Sequence, residues 1–225
     1  MAFTDRSGGV STGPFASLNL ALTGDDDPGA VAENLDRVLA RFNPGGALAD
    51  MHQVHGNEVV LVDQPGQRPH CDALATARPE VTLLARAADC VPVLIGDPER
   101  GLAAAVHSGR PGLEAGVVPA AVERLRELGA ERLVAWVGPH ICGGCYEVPS
   151  RLQEQVAAVC PEARAKTTWG TPSLDIGHGV IAQLEQRQVE IRYVGECTRE
   201  HDDLYSHRRD GARAGRQAGL IKVRS

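Results

Sequence analysis

The pattern of apolar and polar positions predicts helices interleaved with short buried strands. Apolar residues recur at helical spacing in four segments, and six shorter segments are almost continuously apolar. The first helix has the clearest start, because Asp27 can cap it and Pro28 suits its first turn. The predicted helices cover residues 28–43, 116–128, 149–159 and 176–187. The predicted strands cover residues 59–62, 81–85, 91–95, 102–106, 133–137 and 189–194.

The order of these elements predicts an α+β fold with mixed β-sheets and flanking helices. Strands and helices do not alternate strictly, since strands 81–85 and 91–95 lie close together around residue 90. That order disfavours a doubly wound parallel sheet. The chain has 225 residues, with neither a linker-like segment nor a repeat. We therefore expect one domain over residues 1–225.

The composition is that of an ordinary globular protein with an acidic balance. Hydrophobic residues make up 43% of the chain and charged residues 23%, which excludes a disordered or collagen-like chain. A net charge of -6 and an aromatic content of 4% disfavour a nucleic-acid partner. No apolar run reaches the roughly 18 residues of a membrane span, and the N-terminal segment is polar. We therefore expect a cytoplasmic protein with no membrane partner, and free thiols or metal ligands as the default for its six cysteines.

Three residues at the ends of predicted strands, or on the approach to one, are candidates for a metal site. His55 precedes a strand, Cys90 lies between two strands, and His107 directly follows a strand. Two imidazoles and one thiolate suit zinc, and three protein ligands leave a fourth position open, as in catalytic sites. Copper also accepts histidine and cysteine ligands. A metal-free alternative uses Cys90 as a nucleophile and His107 as its base, as in a cysteine hydrolase or amidase.

Nine short motifs are spread in order over most of the chain. They are SLNL at residues 17–20, QVHG at 53–56, DALAT at 72–76, ADCVPVL at 88–94, AAVHSG at 104–109, GPHI at 138–141, CYEV at 145–148, CT at 197–198 and SHRRD at 206–210. In this order they resemble the YfiH family of laccase-domain proteins, whose members are also called multicopper polyphenol oxidoreductase-like or peptidoglycan-editing-factor-like proteins. No single motif is specific, whereas nine in one order are strongly so.

The resemblance implies one metal ion, usually zinc, held by the histidine of QVHG, the cysteine of ADC and the histidine of the AVH motif. In this sequence those residues are His55, Cys90 and His107. The resemblance also implies a zinc-dependent purine nucleoside phosphorylase. Such an enzyme cleaves adenosine- and inosine-type nucleosides with phosphate to ribose 1-phosphate and free base. Adenosine deaminase activity is the companion activity that the resemblance implies.

Further residues in the motifs are candidates for supporting roles. Asn19 and Arg209 are expected to bind substrate, Asn19 at a hydroxyl and Arg209 at phosphate, because an arginine fork matches phosphate oxygens. Asp72 is expected to orient a metal-binding histidine. Cys142 and Cys145 form a CxxC pair, alone half of a zinc site or a redox pair, that overlaps the CYEV motif. We therefore expect a loop near the pocket there, and not a second metal site.

The chain departs from the family pattern just after His107. The family usually continues with Trp-Arg-Gly, whereas this chain has Arg110, Pro111 and Gly112. The departure leaves open a catalytically degenerate member that binds metal and acts as a partner protein. A Cys/His hydrolase or amidase in peptidoglycan editing and a copper-dependent polyphenol oxidase also stay open. Three ligands at one site cannot build the several copper centres of a multicopper oxidase, which disfavours the last of these.

Overall fold

Six α-helices are present in residues 1–64 and 66–223, the part of the chain that this computed structural model describes. They are α1 (Pro28–Phe42), α2 (Arg110–Ala115), α3 (Val117–Glu127), α4 (Ser150–Val159), α5 (Ile176–Glu185) and α6 (His207–Asp210). The four predicted helices are confirmed as α1, α3, α4 and α5. Within the described residues, none of the helices is both long and apolar enough to span a membrane.

The helix starts follow local sequence signals. The Asp27 carboxylate accepts the N–H of Ala30 and so caps α1, while Pro28 occupies its first turn. Helix α2 also has a proline, Pro111, in its first turn, but its N-cap residue is Gly109, which has no side chain to cap the helix. The sequence pattern does not predict α2, because Pro111 followed by Gly112 is typical of a turn.

Twelve β-strands are present in the described part of the chain. They are β1 (Ala2–Phe3), β2 (Ala47–Ala49), β3 (Val59–Leu61), β4 (Ala73–Thr76), β5 (Val81–Ala87), β6 (Val91–Asp97), β7 (Leu102–Ser108), β8 (Val134–Val137), β9 (Arg164–Lys166), β10 (Pro172–Leu174), β11 (Glu190–Val194) and β12 (Gln217–Lys222). All six predicted strands are confirmed, as β3, β5, β6, β7, β8 and β11. The six unpredicted strands are short or contain alanine and glycine, which have little β preference.

The strands form two mixed sheets and one small antiparallel pair. The four-stranded sheet has the order β1-β12-β5-β2, and the six-stranded sheet has the order β11-β8-β6-β7-β4-β3. Each contains parallel and antiparallel neighbours, since β5 pairs β2 in parallel and β12 in antiparallel fashion, and β4 pairs β3 and β7 likewise. Strands β9 and β10 pair with each other. The predicted mixed sheets with flanking helices are confirmed, whereas a single domain over residues 1–225 stays a prediction.

Strands β4, β6 and β7 of the six-stranded sheet are buried on both faces. In β6, Val93 and Ile95 belong to the apolar cluster that contains residues of α3 and α5. Leu94, between them, belongs to the cluster that contains Leu83 of β5 and Ile221 of β12. Side chains alternate between the faces of a strand, so β6 packs against helices on one face and against the four-stranded sheet on the other.

The chain crosses from the four-stranded to the six-stranded sheet between β5 and β6. These consecutive strands are therefore not hydrogen-bonded neighbours. Asp89 in the crossing has a φ of 84°, a conformation that residues other than glycine rarely adopt. Strand β6 then pairs antiparallel with β7, and Pro92 is the register partner of His107. The crossing thus places Cys90 beside the end of β7, where His107 lies.

Candidate metal centre and cavity

Three donor side chains converge at the crossing between the sheets. One ligand atom from each of His55, Cys90 and His107 lies within 4.8 Å of the others. The Cys90 sulfur is 3.8 Å from Nε2 of His55, and the two imidazole rings meet edge to face with centroids 4.8 Å apart. Tetrahedral zinc with bonds of about 2.05 Å to nitrogen and 2.3 Å to sulfur separates the two ligand atoms by about 3.6 Å. The donor set therefore fits one metal ion.

Asp72 connects two of the three donors. Its Oδ1 lies 2.8 Å from Nδ1 of His107, and its Oδ2 accepts the N–H groups of Val54 and Gly56 at 3.1 and 2.7 Å. The carboxylate thus orients the His107 ring and holds the backbone on both sides of His55. Because Nδ1 of His107 is engaged, its Nε2 is the atom left for a metal. The predicted role of Asp72, which is to orient a metal-binding histidine, requires its contact with His107.

The charges of the donors depend on one another. Burial opposes ionisation of the Cys90 thiol, but the charge and hydrogen bond of His107, together with His55, lower the pKa of Cys90 to about 6. Burial likewise opposes protonation of His107, but the Cys90 thiolate and the Asp72 carboxylate raise the pKa of His107 to about 9. In the metal-free protein the two side chains therefore form a thiolate–imidazolium pair between these pH values. A metal ion would replace the His107 proton.

The rate at which Cys90 is alkylated in chelator-treated protein should rise through a midpoint near pH 6. Only the thiolate reacts with iodoacetamide, and an ordinary cysteine has a pKa of about 8.5. The rate should therefore already be near its plateau at neutral pH. Peptide mass spectrometry after timed labelling distinguishes Cys90 from the other cysteines. His107→Ala should move the midpoint upward, and an unchanged midpoint in that variant would contradict the ion pair.

Gly109 follows β7 and allows the donors to approach each other. A Cβ at this position would lie 2.6 Å from Cδ2 of His55 and 3.0 Å from the sulfur of Cys90. Real Cβ atoms essentially never come as close as the first of these distances. A glycine is therefore needed here because both donors pack directly against its α-carbon.

Gly109→Ala should lower zinc affinity by about tenfold or more, the range seen when support for a metal ligand is lost. The added methyl group forces His55 and Cys90 away from their common point. Competition with a coloured chelator measures the affinity. Gly56→Ala is the matched control, because its Cβ would have no neighbour closer than 3.7 Å. Equal zinc affinity in the two variants would show that Gly109 does not set the donor spacing.

Two adjoining cavities meet at the donor group. The larger has a volume of about 440 Å³, within the usual range for small-molecule sites, and the smaller about 150 Å³. They share the wall formed by Ala88, Cys90 and His207. The polar residues that line the larger cavity include Gln53, His55, Arg86, His107 and Arg216. The smaller cavity is lined by residues that include Arg110, Ile141, Tyr146, Ile176 and Arg208.

Four arginines line the two cavities. Arg86, at the end of β5, is 6% exposed, and its Nη1 lies 2.7 Å from Asp50. Within the described residues, neither terminal nitrogen of Arg86 makes a hydrogen bond of regular geometry. In the smaller cavity, the Arg208 guanidinium lies 4.8 Å above the Tyr146 ring. Arg86 was not among the residues predicted from the sequence, although a charged residue inside an otherwise apolar strand is a signal of a functional position.

Arg110 lies in the smaller cavity, at the start of α2. Its guanidinium pairs with Glu114, one helical turn later. The departure from the family's Trp-Arg-Gly therefore still leaves a guanidinium beside Cys90.

Asn19 and Arg209 do not line either of the two cavities. The Asn19 side chain is fully buried, accepts the backbone N–H of Ala21 and Arg216, and donates to Asp26. It lies on a separate cavity of about 320 Å³ that Arg216 also lines. The Arg209 guanidinium pairs with Asp210 and donates to backbone carbonyls of the 198–204 loop. The two residues thus help to position Arg216 and a loop, and their contacts with substrate stay a prediction.

A second group of donors lies outside the His55 site. Cys142, Cys145, Cys197 and Glu200 each place one ligand atom within 4.8 Å of the others. The CxxC loop does lie near the pocket, as expected, because Tyr146 lines the smaller cavity. The sequence analysis missed the group because its other two members lie about fifty residues further along the chain.

Comparison with known proteins identifies the family. The model of a family described as "Multi-copper polyphenol oxidoreductase laccase" matches residues 1–224. The chain belongs to this family, that of the laccase-like YfiH proteins. Among solved structures, the YfiH protein of Bacillus licheniformis has a TM-score of 0.89 at 25% identity, covering 99% of this chain and 91% of that one. YlmD from Geobacillus stearothermophilus has a TM-score of 0.85 at 28% identity, with the same coverage.

Relatives of this YfiH-family chain bear names that state an activity. A protein of Streptomyces coelicolor, 52% identical over 97% of this chain and 93% of its own length, is named a purine nucleoside phosphorylase. A protein of Streptomyces griseus with the same name is 45% identical over 98% of this chain and 92% of its own length. Their names agree with the activity that the sequence motifs imply.

Proposed function

We propose that this chain is a zinc-dependent purine nucleoside phosphorylase. The observation that carries the proposal is the convergence of His55, Cys90 and His107 at an arginine-lined cavity. The names of relatives that match nearly the whole chain support the same activity. The substrates are a purine nucleoside and inorganic phosphate, and the products are ribose 1-phosphate and the free base.

The donor set supports zinc as the resident metal. Two imidazoles and a thiolate match zinc in ligand type and spacing, and Asp72 supplies the hydrogen bond that zinc-binding histidines usually have. A zinc ion held by His55, Cys90 and His107 would supply a Lewis acid next to the cavity.

Arg86 and Arg216 are suited to bind phosphate in the larger cavity. Both line it, and within the described residues Nη2 of Arg86 has no hydrogen-bond partner, while Nη1 forms an ion pair with Asp50. Their two guanidinium groups would hold a phosphate oxygen close to the anomeric carbon of the ribose. This positioning lowers the entropy cost of bringing phosphate and nucleoside together for reaction. The phosphate oxygen forms a bond to that carbon as the carbon–nitrogen bond to the purine breaks. The purine leaves with the electron pair and takes up a proton.

The smaller cavity is suited to the purine base. Ile141, Ile176 and Tyr146 give it an apolar wall, and Arg208 and Arg110 lie at its edge. His207 borders both cavities, which makes its imidazole the candidate proton donor to the leaving purine. Adenosine deamination, the companion activity, replaces the amino group of the same base with a water oxygen and releases ammonia. Both reactions then share one nucleoside-binding site.

A direct assay tests the proposal. Zinc-loaded protein is incubated with inosine or adenosine, with and without phosphate, and the products are separated by chromatography. Phosphate-dependent release of hypoxanthine and ribose 1-phosphate is the expected result, and chelation followed by zinc addition should abolish and restore it. Conversion of adenosine to inosine without phosphate reports the deaminase activity. Metal-loaded protein that leaves all nucleosides intact would instead support the degenerate-member alternative.

Arg216→Gln should raise the KM for phosphate by about tenfold or more, because a hydrogen bond to a charged group contributes about 1.5–3 kcal/mol. The KM for the nucleoside should change much less. Initial rates at varied phosphate measure the effect. Arg213→Gln is the matched control, since Arg213 lies three residues away on the exposed surface. A phosphate KM that rises equally in both variants would argue against a specific contact.

One observation favours a second candidate, a cysteine hydrolase. Asp72, His107 and Cys90 are arranged as an orienting carboxylate, a base and a nucleophile, the pattern of thiol hydrolases. In such a cysteine hydrolase, a bound metal ion would occupy the Cys90 thiolate and inhibit the enzyme. The two candidates respond oppositely to chelation, since it should inactivate the phosphorylase and activate the hydrolase.

A further inference from the structure

Two loops bring three cysteines and one glutamate together, apart from the His55 site. Cys142 and Cys145 lie in the loop between β8 and α4, and Cys197 and Glu200 lie in the loop between β11 and α6. These four residues form the cysteine cluster. None of the three thiols is in a disulfide.

The distances in the cysteine cluster match those around a tetrahedral ion. Its four ligand atoms lie within 4.8 Å of one another, and the Cys145 sulfur is 3.4 Å from Oε1 of Glu200. Zinc bonds of about 2.3 Å to sulfur and 2.1 Å to oxygen place tetrahedral ligands about 3.6–3.8 Å apart. The backbone N–H of Cys142 points at the Cys197 sulfur from 3.4 Å, a contact that stabilises a thiolate.

Backbone contacts hold the two loops in this arrangement. The N–H groups of Cys145 and Tyr146 both donate to the carbonyl of Cys142, which closes a tight turn around the CxxC pair. His140 and Cys197 form a parallel β-bridge, and the N–H of Thr198 donates to the His140 carbonyl at 2.9 Å. The four donors are therefore positioned by main-chain structure and not by flexible side chains alone.

The chemistry of the donor set indicates which ion it takes. Thiolates select zinc over magnesium and calcium, and four protein ligands make a closed site. The His55 site offers only three ligands within the described residues. The cysteine cluster thus has the ligand number of a structural zinc site, whereas the other has that of a catalytic one.

We propose that Cys142, Cys145, Cys197 and Glu200 bind a second, structural zinc ion that fastens the β8–α4 loop to the β11–α6 loop. Both loops contact the wall of the smaller cavity. Tyr146 lines the smaller cavity directly, and Thr198 donates to the Asp89 carboxylate, one residue before Cys90, at 2.6 Å. The ion would therefore fix the cavity wall. The proposed second zinc site does not depend on the proposed nucleoside chemistry.

Zinc counting tests the site. Wild-type protein and a Cys142→Ser/Cys145→Ser variant are reduced, saturated with zinc chloride, freed of excess metal and analysed by elemental mass spectrometry. The wild type should hold one zinc equivalent per chain more than the variant.

Cys160→Ser, which removes a buried cysteine outside both donor groups, is the matched control and should hold as much zinc as the wild type. Equal zinc content in the wild type and the double variant would overturn the proposal. Because the comparison is a difference, it holds whether or not the His55 site carries zinc or turns over nucleosides.

Two measurements keep the test decisive if the double variant does not fold. In zinc-loaded wild type, Cys142, Cys145 and Cys197 should resist alkylation until a chelator is added, and peptide mass spectrometry identifies each one. Alkylation at the same rate with and without zinc would overturn the site. Glu200→Gln changes an exposed side chain and should release this zinc to a chelator faster than the wild type. Equal release rates would show that Glu200 is not a ligand and that the four-ligand site is wrong.

Discussion

Cys90→Ser should remove metal from the His55 site and lower kcat/KM for inosine phosphorolysis by more than about 100-fold. Loss of a residue that only supports a metal ligand lowers metal affinity or activity by up to about 100-fold, and loss of the ligand itself should cost more. Serine keeps nearly the shape of cysteine, so the fold should persist. It offers no thiolate at neutral pH, however, and the pairing that lowers the pKa of Cys90 to about 6 is lost. Elemental analysis and a phosphorolysis assay measure the two effects on the same sample.

Cys160→Ser is the matched control for this variant as well. Cys160 is buried at the end of α4 and belongs to neither donor group. Its replacement tests the general cost of a cysteine-to-serine change, and activity should remain close to that of the wild type. If Cys90→Ser lost its activity but retained the same metal content, Cys90 would be a nucleophile rather than a ligand, as the hydrolase alternative requires.

Asp72→Asn should lower zinc affinity by about 10- to 100-fold while keeping the size of the side chain. An asparagine can still accept the N–H groups of Val54 and Gly56 through its oxygen, as Oδ2 of Asp72 does. Its NH₂ group then faces Nδ1 of His107 and donates to it. The imidazole carries its proton on Nε2 in that tautomer, which is the atom needed for metal. A zinc titration in competition with a chelator measures the loss, and excess zinc should restore part of the activity.

Asp97→Asn separates this effect from simple destabilisation. Asp97 is also buried and accepts backbone N–H groups, from Glu99, Arg100, Glu131 and Arg132, but it lies at the far end of β6 from Cys90. Both variants should lower the thermal midpoint, because each weakens a buried carboxylate network. Only Asp72→Asn should change zinc affinity. A similar loss of affinity in both would mean that stability, and not the His107 tautomer, controls metal binding.

The three candidate metal ligands could be singled out from the sequence because their surroundings have strong local patterns. Cys90 and His107 adjoin apolar strands whose periodicity is clear, and the family motifs mark the same residues. Asn19 and Arg209 lie in motifs too, but their side chains hold backbone groups of other segments. A motif shows that a residue matters, and it does not show whether the residue contacts substrate or supports another residue.

By itself, the sequence determined the four longer helices, six of the twelve described strands, the mixed α+β class and the three candidate donors near strand ends. Only the tertiary structure decided that β5 and β6 belong to different sheets, that Arg86 and Arg216 face the same cavity as Cys90, and that Cys197 and Glu200 join the CxxC pair. The physical reason is the range of each signal. Periodicity and capping act over a few residues, whereas these contacts join segments tens of residues apart, and only the packing of the two sheets and their loops brings those segments together.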